Sequence, residues 1–256
     1  MKARTRLDDA LVERGVCDDR HEAQARVIAG EVLVDDRPCD KPGTAISKKA
    51  ILRLRNGARK GRFVSRGGDK LDGALEALAI DVRGRRALDL GASTGGFVDA
   101  LLQRGAVEVI AVDVGYGLLA ERLRNDPRVH VHERTNARTL DARTLPYIAD
   151  LVVVDASFIS VRALLDAVGR CATDDAWLVA MVKPQFELPV KEVPRGGVVR
   201  DDSERFRAAA LVVAEAALAG WHLLGQRDSD VHGPAGNIEI FLWLGRGDAR
   251  SAEVQS

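Results

Sequence analysis

Four charged residues of this 256-residue chain stand where a folded protein seldom tolerates charge. "LVVVDASF" is a run of buried-strand character ending in Asp155, and "LVAMVKPQF" ends in Lys183 and Pro184. Ligands of open α/β sheets sit outside the carboxyl ends of the strands, so both side chains are expected to face one cleft. Glu239, in "NIEIFLWL", shares a strand face with Phe241 and Trp243. An unpaired carboxylate there is costly and needs a cation nearby; because its strand runs antiparallel, Glu239 is expected to point toward Lys183. Lys70 stands in the first turn of a helix marked by Leu71, Leu75 and Leu78, after Gly67 and Gly68, a place where a cation opposes the helix dipole. Two lysines interleaved with two carboxylates can tune one another and handle a proton without a metal. The plain alternatives are a helix cap for Asp155 and a surface position for Lys183.

The turn that would face these residues is "LDLGASTGGF", Leu88 to Phe97. It reads as a strand, a glycine turn and a helix. A dinucleotide fingerprint requires G-x-G-x-x-G, but Ser93 occupies the second glycine position; a P-loop requires lysine where Phe97 stands. Both phosphate readings weaken. What is left is a glycine turn after one strand, with Asp89 inside that strand and Asp113 ending the next. A carboxylate at the second position can accept hydrogen bonds from ribose hydroxyls. S-adenosylmethionine meets those demands; a nucleotide, or a turn that holds no ligand, remains as the alternative.

The elements that must position these residues alternate. "RALDLG", "VEVIAVDV", "RVHVHE", "DLVVVDAS" and "AWLVAMVKP" read as strands, each followed by helix-compatible sequence, the signature of a doubly wound α/β sheet. "WHLLGQRDSDV" and "NIEIFLWLG" break the rhythm: only "HGPAGN" joins them, so they pair antiparallel. A parallel sheet with such a last strand resembles class I methyltransferases, whose seventh strand lies between the fifth and the sixth. "FRAAALVVAEAALAG" reads as a core crossover helix.

The front of the chain is separate in pattern and in charge. Leu7, Leu11 and Val12, then Ala23, Val27 and Ile28, recur at helical spacing on either side of Gly15, and "EVLVDDRP" and "AILRL" read as short strands. This stretch resembles the S4 RNA-binding domain in Leu7-Asp8, Arg20 and Gly30-Glu31-Val32-Leu33-Val34, with Asp19 departing from the family's small hydroxyl residue. Residues 1–70 carry 17 Lys and Arg against 11 Asp and Glu, and the remainder 21 against 27. A basic front end on an acidic body suits a segment that meets a polyanion. The expected divisions are an S4-like α+β domain over 1–55, a glycine-rich basic linker over 56–63, a methyltransferase domain over 64–245 and a flexible tail over 246–256.

Taken together, "VSRGGDKL", "LDLGASTGGF", "DVGYG", "ERTNAR", "DLVVVDASFIS", "VKPQFE", "GGVVRD" and "GPAGNIEIFLWL" resemble the TlyA-type ribosomal RNA 2′-O-methyltransferases, which join an S4 domain to an FtsJ-like methyltransferase domain. The linker departs from that family, carrying Arg62-Phe63 where a tryptophan is common. The resemblance implies a Lys70-Asp155-Lys183-Glu239 catalytic tetrad with Lys183 at the 2′-oxygen of a ribose, cytidine being the expected nucleoside. It implies that Gly91, Ser93, Gly95, Gly96 and Phe97 line the methionine end of S-adenosylmethionine, that Asp155 also borders it, that Asp113 takes its ribose and that Asn136 lies near its adenine. Arg4, Arg6, Arg20 and Lys41 are expected to contact RNA phosphates, with Arg66 leading the strand into the cleft and "ELPVKEVPRGGVVRD" closing over it.

Composition limits the rivals. At 46% apolar and 30% charged residues the chain can bury a core. Cys17, Cys39 and Cys171 lack CxxC spacing, so they offer no metal framework and read as packing residues of a reducing compartment. No apolar run reaches the ~18 residues that span a bilayer. A cytoplasmic, monomeric enzyme acting on ribosomal RNA or ribosomal subunits, without a membrane partner, is therefore expected. Haemolysin names also attach to TlyA-like proteins, so a membrane-active protein, or a non-catalytic RNA-binding assembly factor, is the alternative.

Overall fold

Two short helices and five very short strands make an N-terminal unit in the computed structural model, which describes residues 4–14, 16–17, 20–28, 30–54, 62–233 and 236–247. The order is β1 (Arg4–Arg6), α1 (Leu7–Glu13), α2 (Arg20–Ile28), β2 (Val32–Val34), β3 (Arg37–Pro38), β4 (Ala45–Ser47) and β5 (Leu52–Leu54). The helical repeat buries the residues its spacing selects: Leu7, Leu11, Ala23 and Val27 meet Val32, Ile46 and Ala50 in a core of their own. β2 pairs antiparallel with β3 and β5. Asp35 and Asp36 turn the β2–β3 hairpin with positive φ, a conformation aspartate accepts at modest cost. The pairing of β1 with β4 has no sequence signal, because three residues are too few to show alternation. Gly15, Asp19, linker residues 56–61 and tail residues 248–256 lie outside the described residues.

The larger unit follows as α3 (Arg66–Ala77), β6 (Arg86–Leu90), α4 (Gly96–Gln103), β7 (Glu108–Val112), α5 (Glu121–Arg124), β8 (Val129–His132), β9 (Ala149–Val154), α6 (Leu165–Cys171), β10 (Ala172–Val182), α7 (Pro184–Glu187), α8 (Asp202–Leu218), β11 (Trp221–Asp228) and β12 (Ile240–Arg246). Seven strands form one sheet in the order β11-β12-β10-β9-β6-β7-β8. β12 lies antiparallel between β10 and β11, while the β10-β9, β9-β6, β6-β7 and β7-β8 ladders are parallel. The fold class is the one expected, a class I methyltransferase sheet behind a small α+β unit. Alternate residues of each strand feed opposite cores: Leu88, Leu90, Val152 and Val154 pack under α6 and α8. Ala87, Val109, Leu151 and Val153 pack under α3 and α4. Because β6, β7, β9 and the end of β10 are buried on both faces, the site has to form at the strand ends.

One expected crossover helix is missing. Between β8 and β9 the chain makes two single 3₁₀ turns, Ala137–Thr139 and Ala142–Thr144. Asn136 and Asp141 cause this: each side chain accepts the backbone N–H two residues on, and each turn stops after three residues.

Candidate active site

The carboxyl end of β6 opens directly into the glycine turn. Gly91 has φ +94°, and a Cβ there would lie 2.6 Å from the Asp155 carbonyl oxygen, so glycine is required both by conformation and by space. Ser93 also takes a positive φ, and its N–H donates to Asp113 Oδ2 at 2.8 Å. Asp113 Oδ1 accepts from Gly115 N–H at 2.6 Å. Asp113 thus ties together the turns after β6 and β7 and keeps one further acceptor direction on each oxygen for a ligand.

Gly96 is used differently from the way its sequence position suggests. A Cβ on Gly96 would lie 2.3 Å from Ser65 Oγ and 2.7 Å from Gly68 N. The N-termini of α3 and α4 therefore touch backbone to backbone. Gly68 packs on Phe63, and Lys70, two residues on, borders the cleft. Gly95, expected at the methionine end, does not line the cleft; the position of its absent side chain is filled by Leu119 and Leu123. Gly91, Ser93, Gly96, Phe97, Asp113, Asn136 and Asp155 do line it. Phe97 stacks on Phe241 of β12, ring centroids 6.1 Å apart, and Asn136 spends its side-chain oxygen capping the turn that follows.

The tetrad residues all border one cleft of about 870 Å³, but they pair otherwise than expected. Glu239 immediately precedes β12, is 3% exposed, and accepts from Lys70 Nζ at 3.1 Å through both carboxylate oxygens. Its cation is Lys70, not Lys183. Lys183, at the end of β10, donates to Asp155 Oδ1 at 2.6 Å, from the end of β9. The site is two separate ion pairs. With the lysine side chains only 9% exposed, each carboxylate offsets the desolvation of its own lysine.

Comparison with known proteins then places the chain. The family model for FtsJ-like methyltransferases matches residues 63–246, and that for the S4 domain matches residues 5–52. The chain belongs to the FtsJ-like methyltransferase family. Among curated relatives of this FtsJ-like protein, the 16S/23S rRNA (cytidine-2′-O)-methyltransferase TlyA of Mycobacterium tuberculosis is 50% identical over 95% of this chain and 91% of its own length. Hemolysin A of Brachyspira hyodysenteriae is 33% identical over 92% of this chain and 98% of its own. A solved structure of a candidate hemolysin from Streptococcus thermophilus superposes with a TM-score of 0.73 at 35% identity, covering 97% of this chain and 90% of that one.

The residues present fit the methyl donor that an FtsJ-like enzyme requires. The turn from Gly91 to Thr94 presents bare backbone to the cleft, with room that a Cβ on Gly91 would remove. Beneath it Asp89 is fully buried, with the Val98 backbone N–H as a donor that only partly offsets the burial. Burial, then the charges of Asp155 and Asp113, push its pKa well above the usual carboxylate range.

Sequence reasoning missed the mouth of the cleft. Phe158 is 86% exposed and adopts φ +67°, a conformation that costs a bulky residue about 1–3 kcal/mol. It lies against Phe186, centroids 5.5 Å apart, and both rings border the cleft. An exposed aromatic held in strain at a cleft mouth offers its face for stacking, worth roughly 1–3 kcal/mol per base. Phe158→Ala is therefore expected to weaken binding of a single-stranded RNA probe about tenfold in filter binding and to leave S-adenosylmethionine affinity unchanged in calorimetry. Glu187 fixes the same loop from below, accepting from Ser160 Oγ, from Val161 N–H at 2.7 Å and from Arg162 Nε at 3.1 Å. The loop over 188–201 is anchored rather than free at its far end, because Asn237 accepts from Val199 N–H at 2.9 Å and donates to Gly197 O at 2.8 Å.

The basic residues expected to hold RNA divide into two sets. Lys41 and Arg66 border the cleft, with Arg66 donating to His232 O, and Arg4 is exposed on β1. Arg6 and Arg20 are instead engaged by Asp8, a fully buried carboxylate. Arg6 donates to Asp8 at 2.9 and 2.7 Å, Arg20 at 3.3 Å and Gln24 at 2.9 Å. Burial alone would raise the Asp8 pKa, but the hydrogen bonds from Arg6, Gln24 and Asp9 N–H outweigh it and hold the carboxyl well below the usual range. A depressed carboxylate stabilises fully above its unfolded pKa of about 4 and loses that contribution as pH falls toward the folded value. Asp8→Asn is expected to cost about 2 kcal/mol at pH 7 in urea unfolding and to flatten the loss of stability between about pH 4 and 2.

Proposed function

We propose that this protein is an S-adenosylmethionine-dependent methyltransferase acting on ribose 2′-hydroxyls of ribosomal RNA, with cytidine as the target nucleoside. The observation that carries the reading is the pair of buried ion pairs, Lys70–Glu239 and Lys183–Asp155, set in one cleft against a glycine turn with bare backbone. The 50% identity to a relative named for cytidine 2′-O-methylation supports the substrate class.

A ribose hydroxyl is a weak nucleophile at neutral pH, so the protein must orient it and manage its proton. Gly91, Ser93, Gly96, Phe97, Asp113, Asn136 and Asp155 would hold the donor, with Gly95 supporting the turn from behind. Bound there, S-adenosylmethionine would supply an electrophilic methyl group. Lys183 meets the 2′-oxygen and takes or balances its proton, while Asp155 holds the lysine. Lys70, oriented by Glu239, steers the ribose or its phosphate. Lys41 and Arg66 at the cleft, with Arg4 on the N-terminal unit, contact phosphates and so position RNA without reading its sequence. Arg6 and Arg20 join them only through the faces that Asp8 leaves open. The chain divides into an S4-like unit to residue 55 and a catalytic unit from residue 64, works as a monomer and acts in the cytoplasm on rRNA or ribosomal subunits. Among the described residues no helix is long and apolar enough to cross a membrane, and the relative named Hemolysin A does not shift the reading.

Calorimetric titration with S-adenosylmethionine tests the cofactor assignment. One saturable site is expected; absence of binding by the folded protein would favour the non-catalytic RNA-binding alternative.

A further inference from the structure

Lys183 has a second partner that the tetrad does not include. Besides Asp155 Oδ1 at 2.6 Å, its Nζ donates to Ser157 Oγ at 2.8 Å. Both acceptors come from the segment after β9, two residues apart. A lysine amine rotates freely about its last bond. One acceptor sets that rotation but leaves two equivalent positions on Nζ free. Two acceptors consume two of the four tetrahedral positions of Nζ; the bond to Cε takes a third, and a single direction is left. As an ammonium, Lys183 directs its last N–H along it; as a neutral amine, it directs its lone pair along it. In either state the same direction serves the substrate oxygen.

From this geometry we infer that Ser157 is a positioning residue for methyl transfer: its hydroxyl and Asp155 occupy two positions of the Lys183 amine, so that the one left faces the 2′-oxygen. The inference rests on the proposed role of Lys183. A purely structural role for the Ser157 hydroxyl is not needed, because its loop is secured by other contacts. Asp155 N–H donates to Leu90 O at 3.1 Å, Phe158 packs on Phe186, and Glu187 takes Val161 N–H and the Ser160 hydroxyl. Ser157 itself is exposed toward the cleft that Lys183 borders, so it spends on the lysine a hydrogen bond that water could otherwise satisfy. Asp155 supplies the charge; Ser157 supplies the second point that defines an orientation.

The test compares Ser157→Ala, Ser157→Thr and Lys183→Ala in single-turnover methyl transfer to unmethylated ribosomal subunits, with S-adenosylmethionine affinity measured on each variant by calorimetry. Misorientation of a reacting group is costly, so Ser157→Ala is expected to lower the maximal rate roughly tenfold without changing KM for the subunits or cofactor affinity. Ser157→Thr, which keeps the hydroxyl, is expected to recover most of the rate. An unchanged rate in Ser157→Ala beside an inactive Lys183→Ala would overturn the inference and leave the Lys183 assignment standing. Equal losses in the Ala and Thr variants would overturn it as well, by showing that the loop and not the hydroxyl matters. An active Lys183→Ala would remove the assignment on which the inference is built.

Discussion

Lys183→Ala is expected to abolish methyl transfer, lowering the rate by at least about a thousandfold, while S-adenosylmethionine still binds. The separation follows from position. Lys183 stands at the end of β10 and is held by Asp155 and Ser157, whereas the turn proposed to hold the donor is built by β6, β7 and their own hydrogen bonds through Asp113. Loss of the lysine also leaves the Asp155 carboxylate without its cation, but Asp155 is 26% exposed and water can compensate. Single-turnover rates and calorimetry on the same preparation check both halves of the statement. Lys183→Arg is not a conservative control, since a guanidinium neither releases a proton readily nor fits the tetrahedral arrangement at Nζ.

Gly91→Ala should be the most damaging single change in the donor site. Its φ of +94° costs any other L-residue about 1–3 kcal/mol, and the new Cβ would meet the Asp155 carbonyl at 2.6 Å and the Ala156 Cα at 3.3 Å. Neither neighbour is the end of a flexible side chain, so backbone must move. The segment that moves carries Asp155 and leads to Ser157, the two acceptors that aim Lys183. Cofactor binding, catalysis and thermal stability are therefore expected to fall together, in contrast to Lys183→Ala, where only catalysis falls. Calorimetry and a thermal melt distinguish the two patterns.

Much of this arrangement is legible in the chain. Alternating strand and helix patterns followed by two strands too close for a crossover anticipate the order in which β12 lies between β10 and β11. Charges at the ends of "LVVVDASF" and "LVAMVKPQF" anticipate the Asp155–Lys183 pair, because a strand end is a fixed place in such a sheet. The partner of Glu239 is not legible. Lys70 reaches it only because Gly67, Gly68 and Gly96 let α3 and α4 meet at backbone distance, a tertiary fact with no periodicity in sequence. The two 3₁₀ turns after β8 depend on side-chain caps at Asn136 and Asp141 that outweigh helix propensity over a short span. Phe158 is hidden for a related reason: it adopts a positive φ, and a phenylalanine gives no hint of that conformation. Asp8 appears in the sequence as part of an S4-like opening, but only the fold shows it holding Arg6 and Arg20 by hydrogen bonds.

The most direct measurement is to incubate the protein with isotopically labelled S-adenosylmethionine and unmethylated ribosomal subunits, digest the RNA to nucleosides and identify the labelled product. Label in 2′-O-methylcytidine, absent with Lys183→Ala, is the expected result. Label on a base, or no transfer from a folded protein that binds the cofactor, would contradict the assignment of the two ion pairs to ribose chemistry.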